Sequence, residues 1–570
     1  MKHFLSLAVI LCTLSMAKAQ NRIISNETEL REFAADVNKG NNYEGCIVCL
    51  AADIILPTPN PGEGNWTPIG TATNPFNGTF DGLGHWISNL TVNIAGSTTG
   101  NVAGLFGCIG SEATVMRVGV ASGDIYINSK EGGDDASCFV GGIVGLNHGR
   151  VAQCANFAAV TGNWNMAHVG GIAGASGNVG GGATTATIRD CYNRGSVFST
   201  SQHNGTYFLG GIVGDTDGAV RRVYSSVAPS VSNPLSGSVN MGGVCGYASV
   251  SAVVANAYST ESALTGFALD GCLNTAGDYS VWTFADGSLP ELVCFGSPTA
   301  MVVLDDDADN AAVLSEGNGQ TACVALNGRT LWKDGAWNTL CLPFSLSEAQ
   351  LAASPLAGAT LMEFDATGHY VRLGSQWKAT EDGSAPQSGV DAENNTLYLF
   401  FKDATSITAG KPYIIKWTGG SDVVNPVFQS VIISNTANNV SSADGKITFT
   451  GTFSTENIPS EDRGRLFLGS ANSLYHPDAA MTINACRAYF QLNGITLGDP
   501  DDPQSGIRAF VLNIGDDTTG LQSMLNGQSS MFNVQSPTIF DLQGRRVNVQ
   551  CSMFNAQCPV VIYNGRKLLK

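Results

Sequence analysis

The sequence predicts an all-β protein whose amino-terminal half winds into a parallel β-helix, and three observations lead to this fold class. Short glycine motifs recur five times, and their second residues lie 38, 29, 40 and 32 positions apart. These spacings are typical of stacked repeat architectures. The motifs are residues 103–107, 141–145, 170–174, 210–214 and 242–246. The other two observations are a pair of aligned apolar columns and a composition poor in charge.

The two columns appear when the segments after each motif are aligned. The first contains Val115, Val151, Ile188, Val220 and Val254, and the second, three residues later, contains Val118, Cys154, Cys191, Val223 and Ala257. Small and β-branched residues suit strands, and stacked repeats place like residues above one another in the core. Helical repeats would instead show apolar stripes with a period of 3.6 residues. We therefore expect a coil of stacked strands.

The composition fits an extended β protein with a weakly charged surface. Only 13% of residues are charged, 68 are glycine and the formal net charge is −18. This charge argues against nucleic acid as a partner, because binding a phosphate backbone requires clustered Lys and Arg.

The two ends of the coil need cover, because a bare terminal coil exposes apolar core and unpaired backbone groups. Residues 27–39 predict an amphipathic capping helix, with Leu30, Phe33, Ala34 and Val37 on one face. At the other end, residues 281–284 and the turn at 286–290 are expected to close the coil.

The repeats, together with residues 66–70 and 76–85 upstream of them, resemble the GLUG repeats of bacterial secreted and surface proteins. The resemblance covers about residues 20–295. It implies a right-handed β-helix and an adhesin-like context.

Residues 296–515 predict a β-sandwich, since apolar runs with strand character alternate there with turns. Residues 337–344, 410–417 and 487–490 resemble segments of a β domain found in secreted Gram-negative bacterial proteins, and the likeness implies no chemistry. Residues 516–532 are rich in Gly, Ser and Gln, which is typical of a linker.

Residues 533–570 are expected to form a small carboxy-terminal β module. Residues 539–547 and 560–570 resemble the sorting domain used by type IX secretion, which implies the outer-membrane secretion machinery as a partner. The alternative is a terminal hairpin that completes the sandwich.

Residues 1–19 read as a signal peptide, with an apolar run from position 4 to 16 and a small-x-small cleavage site. No later segment is apolar for long enough to predict a transmembrane helix. We expect an exported protein, either extracellular or on the outer face of the outer membrane.

Fourteen cysteines remain after the predicted cleavage. Cys154 and Cys191 occupy equivalent positions on adjacent coils, about 4.8 Å apart, so they either form a disulfide or contribute to a small apolar stack. The stack is favoured because Val and Ala occupy the same column.

The sequence contains no Gly-x-Ser-x-Gly nucleophile elbow, no His-Glu-x-x-His zinc motif and no Walker phosphate loop, so we expect no enzymatic activity, no cofactor and no metal. A catalytic pair of carboxylates on different coils would not form a linear motif. The candidates for a catalytic pair of this kind are Asp124, Asp134, Asp135, Asp190 and Asp215. Asp190 aligns with Gln153, Arg222 and Asn256, which we interpret as an ordinary outward position.

Ligand binding is predicted at Trp164 with Asn163 and Asn165, because an indole face stacks on a sugar ring and amides bond its hydroxyls. The favoured function is a non-catalytic, adhesin-like protein that displays the β-helix to glycans or to host or matrix proteins. One alternative is a polysaccharide lyase or glycoside hydrolase. The other is a purely structural stalk or matrix component.

Overall fold

The computed structural model describes residues 21–570 in two compact units, with the exception of several short ranges. Those ranges are 96–100, 129–136, 179–183, 201–204, 233–236, 260–272, 274–279, 285–287, 297–298, 375, 470–472, 478, 499–505, 508, 515–521, 524–538, 541–545, 548–560, 564–565 and 569–570. The predicted signal peptide, most of the predicted linker, Asp134 and Asp135 therefore lie outside the described residues. The first unit comprises residues up to Val302 with Thr321–Ala325 and Val424–Ser430, and the second comprises the rest.

The first unit is a parallel β-solenoid of about six turns, built from four sheets. Sheet 1 contains Arg22–Ile24, Ile47–Leu50, Ile54–Ile55, Thr79–Ser88, Thr114–Val120, Arg150–Ala152, Ala155–Asn156, Thr187–Asn193, Ala219–Ser225 and Val253–Ser259. Sheet 2 contains Asn101–Ala103, Ser137–Gly141, Met166–Gly170, Thr206–Gly210 and Ser238–Gly242.

The other two sheets complete each turn. Sheet 3 contains Phe106–Ile109, Val144–Asn147, Ala173–Ser176, Val213–Thr216 and Cys245–Ala248. Sheet 4 contains Leu90–Ala95, Gly123–Asn128, Ala159–Asn163, Val197–Thr200 and Ser230–Ser232. The predicted parallel β-helix architecture is confirmed.

The aligned apolar columns lie inside the solenoid, as the sequence predicts. Val151 pairs in register with Val115 and Ile188, and Ile188 pairs with Val220. All four side chains are fully buried in one core. Val254 in the last described coil is 43% exposed.

A left-handed bend brings both columns to the interior. Residues i and i+3 of a straight strand face opposite sides. Between the two columns, however, every coil has one residue with a φ of 52–55°. These residues are Arg117, Gln153, Asp190, Arg222 and Asn256. The interpretation of Asp190 as an ordinary outward position is therefore wrong, because the whole alignment column adopts a backbone conformation that non-glycine residues rarely take.

The motif glycines serve a different purpose, since none of them is among the residues with positive φ. A Cβ on Gly142 would overlap the side chain of Asn156, and one on Gly171 would overlap Asn193. These two asparagines form a ladder, with Asn156 Nδ2 donating to Asn193 Oδ1 over 2.9 Å. The doubled glycine therefore makes room for polar side chains that stack from coil to coil.

The predicted amphipathic helix is present as Glu27–Asn38. Asn26 caps its first turn by accepting from the Glu29 backbone N–H over 3.1 Å. Leu30, Phe33, Ala34 and Val37 are buried in the solenoid core, as their spacing predicts. Phe33 packs edge-on against Phe76 with ring centroids 5.7 Å apart.

Residues 281–284 do not close the last coil, and this prediction is wrong. Trp282 packs against Tyr192 and Tyr224, and its Nε1 lies 3.4 Å from Asp190 Oδ1. The two tyrosines form part of an outward column on sheet 1 and stack 5.2 Å apart. The indole therefore covers the side of the solenoid, where it buries aromatic surface that the coils cannot bury themselves.

The second unit contains two larger sheets that share one apolar core. The first has seven strands: Asn338–Cys341, Thr360–Phe364, Gly389–Asp391, Thr396–Asp403, Pro412–Lys416, Ala509–Asn513 and Gln522–Ser523. The second has five: Val440–Ser441, Ile447–Gly451, Arg465–Leu468, Leu474–Tyr475 and Ala488–Leu492. The sandwich assignment stays a prediction.

Shorter elements complete the described chain. The helices are Val293–Gly296, Ala311–Gly317 and Glu348–Ala352. The strands are Trp282–Thr283, Glu291–Leu292, Ala300–Asp305, Thr321–Asn327, Thr330–Leu331, His369–Leu373, Gln376–Thr380, Val423–Val424, Val427–Ile432, Glu456–Ile458, Met481–Ile483, Ile539–Phe540, Arg546–Val547, Val561–Tyr563 and Arg566–Leu568. The last four form two hairpins within the predicted sorting module.

Cys154 and Cys191 are unpaired buried thiols. Cys154 Sγ donates to the Ala152 carbonyl over 3.3 Å, and Cys191 Sγ donates to the Arg189 carbonyl over 3.1 Å. The structure thus supports the apolar stack over the disulfide for this pair.

The left-handed column generates a testable prediction at Gln153, for which the structure gives no side-chain hydrogen bond. Gln153→Val should lower the free energy of unfolding by about 1–2 kcal/mol, because a β-branched residue is strained at positive φ. Gln153→Gly, the matched control, should stay within about 1 kcal/mol of the parent protein. Denaturant unfolding of the three proteins measures both differences, and equal effects of Val and Gly would contradict the bend.

Candidate functional site

The predicted aromatic platform at Trp164 does not fit the structure. Trp164 is 1% exposed and belongs to the solenoid core. Asn163 is also buried, and its Oδ1 accepts from the Thr200 backbone N–H over 2.7 Å. Asn165 is half-buried, and its carbonyl accepts from the Thr206 N–H over 2.8 Å. An indole in this position has no face for a ligand, so the structure does not support Trp164 as a stacking residue.

The strand period explains why Trp164 turns inward. Val160, Gly162 and Trp164 alternate along one strand and the turn after it, so all three share the inner face. Gly162 leaves space there, since a Cβ at this position would lie 2.6 Å from a Val169 methyl group. Counting in steps of two from Val160 would have identified Trp164 as a core residue from the sequence.

The structure instead places an open groove on the outer face of sheet 4. Its volume is about 290 Å³, and its floor is formed by outward residues of three adjacent strands. These residues are Thr91 and Asn93, Asp124 and Tyr126, and Thr161. They alternate with Val92, Ile125 and Val160, which point into the core. The regular strand period therefore positions every floor residue toward solvent.

One wall of the groove is the loop that contains Gly62 and Glu63. Asn93 Nδ2 donates to the Gly62 carbonyl over 2.7 Å, and Asn60 Nδ2 donates to Glu63 Oε2 over 2.8 Å. Gly64 permits this close approach, because a Cβ there would lie 2.8 Å from the Asn93 backbone nitrogen. The loop is thus fixed against the edge strand of sheet 4.

The groove combines an aromatic ring with oxygen and amide groups. Tyr126 is half-buried, and Asp124 and Asn93 are exposed. Asp124 and Glu63 make the lining acidic, and no Lys or Arg is among the residues that line it. This charge disfavours acidic polysaccharides by repulsion and is compatible with the hydroxyl groups of a neutral sugar.

Asp190, one of the sequence-derived catalytic candidates, is fully buried in an ion-pair network. Arg222 donates to both of its oxygens, over 2.5 Å from Nε and 2.7 Å from Nη2. Arg189 adds a third bond of 3.0 Å. A carboxylate bonded in this way, with Trp282 over it, is inaccessible to a substrate and links adjacent coils.

Asp215, another candidate, lies beside a buried histidine. His168 is 1% exposed and stacks between Phe139 and Phe208, with ring centroids 4.8 and 4.7 Å away. Asp215 Oδ2 is 3.5 Å from His168 Nδ1, which exceeds the usual hydrogen-bond distance. Both ring nitrogens of His168 therefore lack a hydrogen-bond partner. No sequence pattern predicts this pair, because the two residues come together only through the stacking of adjacent coils.

Burial controls the protonation of this pair. It lowers the pKa of His168 to about 4. Burial first, and the neighbouring Asp217 second, raise the pKa of Asp215 to about 6. Since His168 is inaccessible, the pair is not positioned for general acid–base catalysis. Among the described candidates, Asp124 lines an open groove, whereas Asp190 and Asp215 are buried.

Within the described residues, no group of three or more His, Cys, Asp or Glu side chains is arranged to hold a metal ion. In the same part of the chain, no helix has the length and apolar character needed to cross a membrane.

The raised pKa of Asp215 predicts a pH-dependent effect of Asp215→Asn. Because the folded state holds this proton more tightly than the unfolded state, the carboxyl destabilises the fold increasingly as pH rises from about 4 through 6. The variant should therefore gain stability relative to the parent protein over this range and keep the gain at pH 7. Melting temperatures measured from pH 4 to 7 test this, and a difference that does not change with pH would refute it.

Comparison with known proteins finds only partial similarity. No family model matches the chain, and no solved structure matches it. A putative Gly-rich membrane protein of Evansella cellulosilytica is 34% identical over 123 residues, which is 21% of this chain and 13% of that protein. Halomucin of Haloquadratum walsbyi is 34% identical over 114 residues, 20% of this chain and 1% of that protein. The chain thus spans a small part of either relative, and the resemblance to GLUG proteins stays a prediction.

Proposed function

We propose that this protein is an exported, adhesin-like binding protein that displays the sides of its solenoid to glycans without transforming them. The groove on sheet 4 is the observation that carries the proposal, because it offers an aromatic ring beside polar side chains on a rigid surface. The name of one partial relative, a Gly-rich membrane protein, fits a place at the cell surface.

The groove suits a neutral sugar ring by its chemistry. The Tyr126 ring supplies an apolar face for the C–H side of the sugar, and its hydroxyl is a further bonding group. Asp124 and Asn93 on neighbouring positions accept from and donate to sugar hydroxyls. A carboxylate acceptor strengthens such bonds. Protein partners from a host or matrix are the alternative class of ligand in this proposal.

The remaining parts of the chain have supporting roles in the proposal. The helix Glu27–Asn38 shields the first coils, since its apolar face is buried in their core. The carboxy-terminal module engages the outer-membrane secretion machinery and determines whether the protein is attached or released.

A glycoside hydrolase is the second candidate, because Asp124 and Glu63 place two carboxylates in one groove. Such enzymes use a carboxylate pair on either side of the scissile bond. A lyase is disfavoured, since the groove lining lacks the Lys or Arg that would neutralise an acidic polysaccharide. Release of reducing ends from neutral polysaccharides, lost in Asp124→Asn, would replace the binding proposal with the hydrolase.

The binding proposal predicts the effect of removing the aromatic ring. Tyr126→Ala should weaken binding to the neutral glycans that the parent protein retains on a glycan array by about tenfold, because the stacking surface is lost. Phe198→Ala is the matched control. Phe198 is a half-buried ring on the same outer column of sheet 4 but does not line the groove.

Titration calorimetry with the retained glycans measures both affinities. Equal losses in the two variants would show that general damage to sheet 4, and not the groove, lowers binding. Binding by the parent protein to acidic glycans alone would contradict the proposed ligand class.

A further inference from the structure

Two cysteines that are far apart in the chain meet on the outer face of the solenoid. Cys49 belongs to the strand Ile47–Leu50, and Val48 and Leu50 on either side of it point into the solenoid core. Since side chains alternate along a strand, Cys49 points out of sheet 1. It is nevertheless fully buried, because it lies in a small apolar cluster that also contains Cys323.

The cover over Cys49 comes from much later in the chain. Residues 300–302, 321–325 and 427–430 belong to the first unit and come from one three-stranded sheet. This sheet contributes buried residues to the cluster, namely Cys323, Ala325 and Val427, while the solenoid contributes Cys49 and Leu83. The two cysteines therefore come together only when the later segment packs on the solenoid.

Hydrogen bonds fix this packing on both sides of the cluster. The Thr299 backbone N–H donates to the Leu83 carbonyl over 2.8 Å. Gln429 Nε2 donates to Asp81 Oδ2 over 2.5 Å, and Asp81 pairs in register with Cys49. The segment that carries Cys323 is thus held in a defined position against the strand that carries Cys49.

The thiols of Cys49 and Cys323 hydrogen-bond to each other, and both cysteines are unpaired. Their position differs from that of the other neighbouring thiols, Cys154 and Cys191, each of which donates to a carbonyl of its own strand. Those two belong to a repeated apolar column, whereas Cys49 has Ile23 and Asp81 as its neighbours in the register. Stacking of like residues therefore does not explain why cysteines meet at this place.

Burial limits when this pair can react. The hydrogen bond with Cys323 first, and burial second, raise the pKa of Cys49. A protonated thiol without solvent access is a poor nucleophile, because the thiolate is the reactive form. Oxidation consequently takes place before residues 321–325 close over Cys49, and the closed cluster then protects the product from reduction.

We propose that Cys49 and Cys323 form a disulfide that fastens residues 321–325 to the amino-terminal coils of the solenoid. One thiolate attacks the disulfide of an exported thiol–disulfide oxidoreductase and forms a mixed disulfide, and the other thiolate then displaces the oxidoreductase. The two cysteines lose two electrons and two protons, and the disulfide of the oxidoreductase is reduced to two thiols. The oxidant in this step rests on the export that the proposed function assumes.

Thiol counting on the full chain tests the bond. The reduced, unfolded chain is refolded in a mixture of reduced and oxidised glutathione, and its free thiols are then alkylated in denaturant and counted by mass. If the bond forms, Cys49→Ala should have one free thiol more than the parent protein, because Cys323 loses its partner. Cys49→Ala/Cys323→Ala should have the same number as the parent. Cys154→Ala, the matched control for an unpaired thiol, should have one fewer.

The opposite count would overturn the proposal, since one free thiol fewer in Cys49→Ala than in the parent means that Cys49 is unpaired. Digestion of the alkylated parent without reductant identifies the partner and needs no variant to fold. A pair of peptides joined through Cys49 and Cys323, which separates on reduction, is expected. Recovery of both residues as alkylated thiols, or a bond from either to another cysteine such as Cys46, would contradict the pairing.

The bond should also stabilise the parent protein, because it closes a long loop, from position 49 to position 323, in the unfolded chain. A phosphine reductant should lower the melting temperature of the parent by about 5 °C and that of Cys49→Ala/Cys323→Ala by less. Equal shifts in the two proteins would count against the bond. The refolding assay supplies its own oxidant, so failure of the disulfide and failure of export or of glycan binding are distinguishable.

Discussion

The solenoid depends on one backbone constraint, the left-handed residue that every coil places between its two buried columns. Without that bend, a strand that buries Val151 would direct Cys154 toward solvent, and half of the interior would be lost. With it, two apolar side chains per coil enter the core from one sheet. The conformation is costly for Gln153 or Arg222, and the burial of Val and Ile on both sides offsets the strain. The four sheets that form the sides of the solenoid are regular because this geometry repeats in each coil.

The rigid stacking determines where chemistry is available on the first unit. Side chains that stack on the sides bond one another, as in the Asp190–Arg222 pair and the asparagine ladder, and these groups hold coils together. The proposed glycan groove lies where the regular stack is interrupted. There, the loop that contains Gly62 and Glu63 contacts the edge strand of sheet 4. The motif glycines leave space for side chains of the neighbouring coils, while the left-handed column between the two buried columns consists of non-glycine residues.

Sequence patterns predicted the parts of this fold that have a period. The register of Val151, Ile188 and Val220 and the buried face of the helix Glu27–Asn38 follow from repetition alone. The left-handed column was not predicted, because Arg, Gln, Asp and Asn share no preference for positive φ strong enough to identify it in the sequence. The prediction for Trp164 failed because the asparagines on either side of it suggested an exposed loop. Its even spacing from Val160 places it on the inner face of the strand, where it is buried. The sequence does not predict the His168–Asp215 pair, since the pair joins residues of different coils.

Designed metal binding across adjacent coils tests the stacked register most directly. Arg150 pairs with Thr187 in sheet 1, and Thr187 pairs with Ala219 one coil further on. Histidines in place of Arg150 and Thr187 would stand about 4.8 Å apart and bridge one Ni²⁺ or Zn²⁺ ion. The melting temperature of this variant should rise with metal concentration. Histidines in place of Arg150 and Ala219, which lie two coils apart, should raise the melting temperature with metal no more than the single variants do. An equal rise in both pairs, or no rise in either pair, would contradict the solenoid.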